Sequence, residues 1–238
     1  MLFAPIATLA KQKYAIEISK DTLNVDLLAY ARSQGYDAIQ QCIVEVYVLA
    51  NVVVGSNTTS TYALTIDGFP ADCELSVINY GYIVGAGGDA GGGGTGYCQP
   101  GHPGQPGGPA IYVRYPTTIV NNGVIGSGGG GGSGGSGSGD YYGYIAPGGS
   151  GGGGAGSKPG QSLVGPYVGS PGTLTKGGKG HTGATTPGGN GGTGGPGGDL
   201  GNPSGIAFNS WLVSPTTVAI NGISYVTLTG APPLGPVI

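Results

Sequence analysis

The chain has 238 residues, of which 8% are charged and 38% apolar, and a formal net charge of −3. Its eight Lys and Arg residues form no run, so the basic patch of a nucleic-acid binder is missing. No apolar stretch reaches the ~18 residues that a membrane-spanning helix needs, so no membrane insertion is expected.

The first residues, MLFAPIATLA, are apolar without a basic n-region, and Thr8-Leu9-Ala10 fits a cleavage site poorly. No signal peptide is expected. Residues 1–74 have the composition of ordinary globular protein. Asp21 or Thr22 is the expected cap of a helix reaching about residue 33. Leu23, Leu27, Leu28 and Ala31 lie at helical spacing, and Gly35 ends it. The β-branched stretch CIVEVYVLANVVV over 42–54 predicts one or two strands. Residues 62–66 predict another, closed by Asp67-Gly68. Cys42, Cys73 and Cys98 are an odd number, which excludes a full disulfide framework. Buried free thiols are the expectation, with a Cys73–Cys98 bridge as the alternative. Asn57-Thr58-Thr59 matches a glycosylation sequon, which carries no weight without secretion.

An internal repeat follows. Residues 75–85 read LSVINYGYIVG and 117–126 read TTIVNNGVIG. Near the end, 215–223 read PTTVAINGI, akin to PTTIVNNGVI over 116–125. Each copy is a short apolar strand, an Asn near a Gly, and another apolar pair. Asn and Gly tolerate the left-handed backbone of a tight corner. The copies therefore read as rungs of a small β-solenoid or sheet, from which the glycine runs start.

All but six of the 56 glycines lie between Gly81 and Gly205. Such a stretch normally behaves as a flexible coil, and ordering it costs roughly 1–2 kcal/mol per residue. The spacing nevertheless argues for order. Residues 188–199, GGNGGTGGPGGD, form a strict triplet, as do GGSGGS at 131–136 and GHPGQPGGP at 101–109. A period of three is that of the polyproline II backbone, which makes no internal hydrogen bonds. Two bare faces per turn let neighbouring runs approach backbone to backbone, each N–H finding its acceptor on an adjacent run. Collagen is disfavoured because the triplets are short and interrupted. The expected fold class is mostly irregular and β. A small N-terminal α+β domain over 1–74 precedes short β rungs and a packed sandwich of polyglycine II helices in 75–238, of which 206–238 returns to the base.

Segments that bear side chains interrupt the runs. If the runs go up and down, these segments are turns, and alternate turns point to opposite ends. Tyr141, Tyr142, Tyr144, Ile145, Tyr167, Val168 and Leu174 are large apolar groups in such turns. Clustered, they form an exposed patch of the kind that marks a binding surface, and Tyr is a favoured contact residue of loop-built sites. The alternative is that the tyrosines pack across the glycine layer.

Taken together, VINYGYIVGAGG, IVNNGVIGSGGGG, the glycine runs and the aromatic loops between them resemble the adhesin at the tip of T-even-type phage long tail fibres. They are also similar to the glycine-rich receptor-recognition proteins of other tailed phages, over about 75–205. The resemblance implies a polyglycine II sandwich whose variable distal loops bind a bacterial outer-membrane protein or surface glycan. It implies attachment to the shaft protein of the tail fibre through residues 1–74. It implies a place in the virion, at the distal tip of the fibre, after synthesis in the host cytoplasm.

Enzymatic chemistry finds little support. The carboxylates of the glycine region are Asp89, Asp140 and Asp199, and His102 and His181 both sit beside glycine without a second member of a catalytic pair. The stretch LTKGGKGHTG fails as a phosphate-binding loop, since Gly180 follows Lys179 where Ser or Thr belongs. No cofactor or metal is expected. A glycine-rich structural matrix protein is the rival reading, and a carbohydrate-active enzyme a distant third.

Overall fold

The computed structural model describes residues 11–37, 42–139, 143–202 and 219–235. Its parallel strands are the rungs of a three-sided solenoid. Rung one is β1 (Gln12–Ile18), β2 (Thr22–Leu23) and β3 (Val25–Asp26), followed by the helix α1 (Leu27–Ser33). Rung two is β4 (Cys42–Val48), β5 (Val53–Gly55) and β6 (Leu64–Ile66). Rung three is β7 (Glu74–Asn79), β8 (Tyr82–Val84) and β9 (Ile111–Val113), with a glycine-rich insertion between the last two. Rung four opens with β10 (Thr117–Asn121) and β11 (Val124–Gly126). A longer insertion then carries β12 (Ser138–Gly139), β13 (Ile145–Ala146), β14 (Thr185–Thr186) and β15 (Gly189–Asn190). Only then does β16 (Ile220–Asn221) close the rung, and β17 (Val226–Gly230) begins a fifth. Corresponding sides stack into three parallel sheets, β1-β4-β7-β10-β17, β2-β5-β8-β11 and β3-β6-β9-β16.

Strand periodicity sends every second side chain inward, and β4 shows it as strictly alternating burial. The register then piles like on like. Ile16, Val46, Val77 and Ile119 stand in one column, Val54, Ile83 and Ile125 in a second, and Leu64, Ile111 and Ile220 in a third. All are buried, at about 1.5–3 kcal/mol per side chain. The expected division at residue 74 falls inside this stack, because β7 pairs with β4 over residues 74–79.

The two clear repeats stack in register, Leu75 opposite Thr117 and Tyr82 opposite Val124. The third does not join that column. Residues 215–218 lie outside the described residues, and Ile220 pairs with Ile111 on another side. The strand that stacks on β10 is β17, whose sequence VTLTG carries no Asn-Gly signal. The corner expectation holds at Gly222 of the third copy, whose φ is 103°, and needs correcting at the first two, since Asn79, Gly81, Asn121 and Gly123 all lie outside the positive-φ residues. The asparagines instead form a buried ladder. Asn79 Nδ2 donates to Asn121 Oδ1 at 2.8 Å, and Asn121 Nδ2 donates to the Ala231 carbonyl at 2.9 Å. Each Asn oxygen also accepts from a Gly N–H two residues on. The glycines are there because a Cβ on Gly123 would meet the carbonyl of Gly81 on the rung before.

Helix α1 starts later than expected. Its cap is Asp26, whose Oδ1 accepts from Ala29 N at 3.0 Å. Thr22–Leu23 and Val25–Asp26 go into strands because pairing with β5 and β6 satisfies their backbone, and Asp21 accepts from Val53 N instead. The cysteine expectation is overturned too. Cys42 and Cys73 form a disulfide with Cα atoms 4.7 Å apart, and Cys98 is free and exposed. Cys42 begins β4 and Cys73 immediately precedes β7, so strand pairing makes them neighbours.

The insertions form a bundle of glycine runs held together by backbone hydrogen bonds. Residues 147–157 run through its middle. Gly148, Gly151 and Gly154 donate to Gly94, Gly91 and Gly88; Gly149, Gly152 and Ala155 donate to Gly192, Gly195 and Gly198. Ser150, Gly153 and Gly156 donate to Tyr167, Ser170 and Thr173. Three further segments donate to this run, through Gly129, Gly132 and Gly135, through Gly178, His181 and Ala184, and through Gly160. All these N···O distances are 2.7–3.0 Å. Within the insertions, only Gly143, Gly165, Gly189 and Gly201 have positive φ among the described glycines. The runs therefore use glycine for its missing Cβ: one on Gly151 would meet the Gly132 carbonyl, and one on Gly194 the Ser150 carbonyl.

Two stability predictions follow from these contacts. Asn121→Ala leaves Gly123 N and the Ala231 carbonyl without their side-chain partner. We expect a loss of about 1–3 kcal/mol, read by calorimetry as a melting temperature several degrees lower. Gly194→Ala is expected to prevent soluble folding. Gly92→Ala, whose Cβ would stand 3.1 Å from the end of the movable Leu163 side chain, is expected to be tolerated. Circular dichroism and melting curves of the pair check the contrast.

Candidate functional site

The runs leave the solenoid at residues 85 and 127 and alternate in direction, so their turns collect at two ends. The near end is built into the solenoid. Ser56 N donates to Ser157 Oγ and Ser157 Oγ donates to the Ser56 carbonyl, both at 2.9 Å. Val84, Ala155 and Leu200 form a small buried cluster here, against which Val53, Tyr82, Val124 and Leu174 pack. Lys176 Nζ pairs with Asp199 Oδ2 at 2.8 Å, and Asp199 Oδ1 accepts from Gly177 N at 3.0 Å. The Lys176 hydrogen bond, aided by the Gly177 N–H, holds the Asp199 carboxyl below the usual carboxylate range.

The far end is formed by the turn at 95–98 and two small antiparallel hairpins, β12–β13 and β14–β15, which pack against each other. Tyr97 is 65% exposed, Tyr144 54% and Ile145 45%. The Tyr97 ring borders Gly139, where an added Cβ would stand 3.2 Å from its Cδ2. Beside this end, the loop 162–167 exposes Leu163, Tyr167 and the whole of Val164. Gly165 and Tyr167 take φ of 143° and 61°. For tyrosine that costs roughly 1–3 kcal/mol, a strain that collects at functional sites. The backbone holds Tyr167 there, its carbonyl accepting from Ser150 N at 2.9 Å. Its ring meets His181 edge-on, with centroids 6.1 Å apart. Among the described residues of these turns, 95–99, 143–146, 162–167 and 182–190, there is no Asp, Glu, Lys or Arg.

The structure thus brings Tyr144, Ile145 and Tyr167 to the far end or its flank. Val168 is half-buried just below. Tyr141 and Tyr142 lie outside the described residues. Leu174 is placed at the opposite end, where it packs on the buried cluster rather than facing outward. Sequence reasoning did not single out Tyr97, Leu163 and Val164 as contacts. Their signal was the same one, large apolar groups in turns between glycine runs. Among the described residues, no group of three or more His, Cys, Asp and Glu could hold a metal ion, and no helix is long and apolar enough to cross a membrane.

A family model described as phage tail fibre adhesin Gp38 matches residues 13–231. The fold is similar to a chain in the crystal structure of the gp37-gp38 adhesin tip complex of the bacteriophage S16 long tail fiber. That likeness has a TM-score of 0.64 at 22% identity, over 96% of this chain and 82% of the other. No curated protein sequence matches the chain.

The base contacts give a pH prediction. The depressed Asp199 carboxyl adds stability at and above the ordinary carboxylate range, and the increment is lost as pH falls through its lowered value. We expect Asp199→Asn to be less stable than the parent near neutrality, the difference closing in strong acid. Melting temperatures measured across acidic pH check this.

Proposed function

Since the chain belongs to the phage tail fibre adhesin Gp38 family, we propose that it is the host-recognising tip of a tail fibre in the virion. The glycine runs are polyglycine II helices packed as a sandwich, a reading supported by donor directions that repeat every third residue. The far end binds a bacterial outer-membrane protein or surface glycan through Tyr97, Tyr144 and Ile145. Leu163, Val164 and Tyr167 contribute from the flank, and Tyr141 and Tyr142, just before Tyr144 in the sequence, contribute with them. The solenoid is the attachment side, carrying the fibre's shaft protein. A tail-fibre partner is supported by the relative of known structure, which is a gp37-gp38 complex.

One observation carries the reading. Large apolar side chains stand exposed and uncharged at the end of the bundle away from the solenoid. Exposed clusters of this kind mark interaction surfaces, and tyrosines with few rotatable bonds lose little entropy when bound. The frame beneath holds the loops still, which lowers the ordering cost of binding. The tip contributes contacts rather than chemistry.

Binding of purified protein to host cells, and competition with phage adsorption, test this. Tyr144→Ala/Ile145→Ala and Tyr97→Ala are expected to weaken cell binding tenfold or more, about 1.4 kcal/mol. Leu174→Ala is expected to keep cell binding while lowering the melting temperature. Host binding by Tyr144→Ala/Ile145→Ala equal to the parent's would sink the tip assignment.

A further inference from the structure

A cavity of about 190 Å³ lies on the side of the bundle next to the solenoid, away from the exposed tip. Four separate segments converge on it. The solenoid corner brings Asn57 and Thr58, the run from residue 85 brings Asp89, the run from residue 99 brings Gln105, and the base turn brings Lys158 and Pro159. Thr59 and the buried Ala86 and Gly87 complete its lining. The frame fixes this geometry. Gly87 N donates to the Lys158 carbonyl at 2.9 Å and Gln105 N to the Asp89 carbonyl at 2.8 Å, while Ala86 N donates to Ser56 Oγ at 2.8 Å.

The polar groups around the cavity are of mixed kind. Asp89 Oδ1 accepts from Gln161 N at 2.7 Å, so the carboxylate is held in one orientation. Asp89 and Lys158 bring opposite charges to the rim but are not among the ion pairs of the described residues. A carboxylate, an ammonium, two primary amides and the hydroxyls of Thr58 and Thr59, the former also bonded to Ser60 and Thr61, offer donors and acceptors with no net charge. An anion would meet the Asp89 carboxylate, and a cation the Lys158 ammonium. A neutral polyol satisfies both, since each hydroxyl donates one hydrogen bond and accepts others. The volume, equal to about six waters, suits one sugar ring and is small for a peptide segment. The Pro159 ring supplies an apolar wall for the C–H face of such a ring.

We propose that this cavity is a second binding site, for a single neutral pyranose unit of a surface polysaccharide. It is separate from the tip, and works as a weak contact that holds the adhesin near the cell. Affinity is low, in the millimolar range expected of one small ring on a partly open site.

Ligand-observed NMR titration of the full chain tests this with glucose, galactose and N-acetylglucosamine, and with glucose 1-phosphate as the charged control. We expect saturable binding of at least one neutral sugar. Gln105→Ala and Lys158→Ala should each weaken it threefold or more, and Asp89→Asn, which keeps the acceptor for Gln161 N, should weaken it as well. Host-cell binding through the tip should persist in all three variants, which also shows that they fold. Three results would overturn the proposal: no saturable binding by any neutral sugar, binding that all three variants leave unchanged, or tighter binding of glucose 1-phosphate than of glucose. None of these bears on the tip, whose own test is the tyrosine substitutions.

Discussion

Carbonyl oxygens in this protein stand where side chains would otherwise be. In the glycine runs the backbone of one segment approaches the Cα of the next so closely that a methyl group would meet a carbonyl, as at Gly132 against Gly195 and Gly151 against Gly132. That approach is what lets each N–H reach an acceptor on a neighbouring run. In most folds apolar side chains drive the chain together and backbone bonds follow within helices and sheets. Here the order of dependence is reversed. Hydrogen bonds between runs define the packing, and the absence of Cβ permits it. The conformational entropy of glycine opposes the arrangement throughout, so a bundle of this kind needs a rigid start.

The solenoid provides that start. Its columns of Ile, Val and Leu are an ordinary apolar core, and its corners between the second and third sides are where both glycine insertions leave and return. Because the rungs are parallel and in register, the ends of the runs are delivered at fixed spacing. The Asn79–Asn121 ladder fixes the corner between the first and second sides, one short strand before each departing run. The Ser56–Ser157 clasp and the cluster of Val84, Ala155 and Leu200 then tie the returning runs to the same face. The bundle thereby inherits its order from a core that does not extend into it.

The two ends of the bundle have consequently different chemistry. The end against the solenoid carries an ion pair, a serine clasp and buried aliphatics. The far end exposes Tyr97, Tyr144 and Ile145, and the described residues of its turns carry no charge. Among the described residues, the runs beneath those far turns are held backbone to backbone.

The sequence by itself determined the local facts. Triplet spacing marked the ordered runs, β-branched enrichment over 42–54 marked β4 and β5, and the repeats at 75–85 and 117–126 marked rungs. Each of these is a relation between near neighbours in the chain, where residue type and backbone geometry are directly linked. Only the tertiary structure decided which distant segments meet. Leu174 and Tyr144 both read as apolar groups in turns, yet one became an anchor and the other a tip residue, because run direction alternates and a turn alone does not say which end it occupies. Cys42 found Cys73 rather than remaining free, because strand pairing brings the start of β4 beside the start of β7. VTLTG became the rung above β10 although PTTVAINGI carried the repeat signal, because the insertion returns the chain to a different side of the solenoid. In each case the deciding quantity was a contact between residues far apart in sequence, which composition and spacing do not encode.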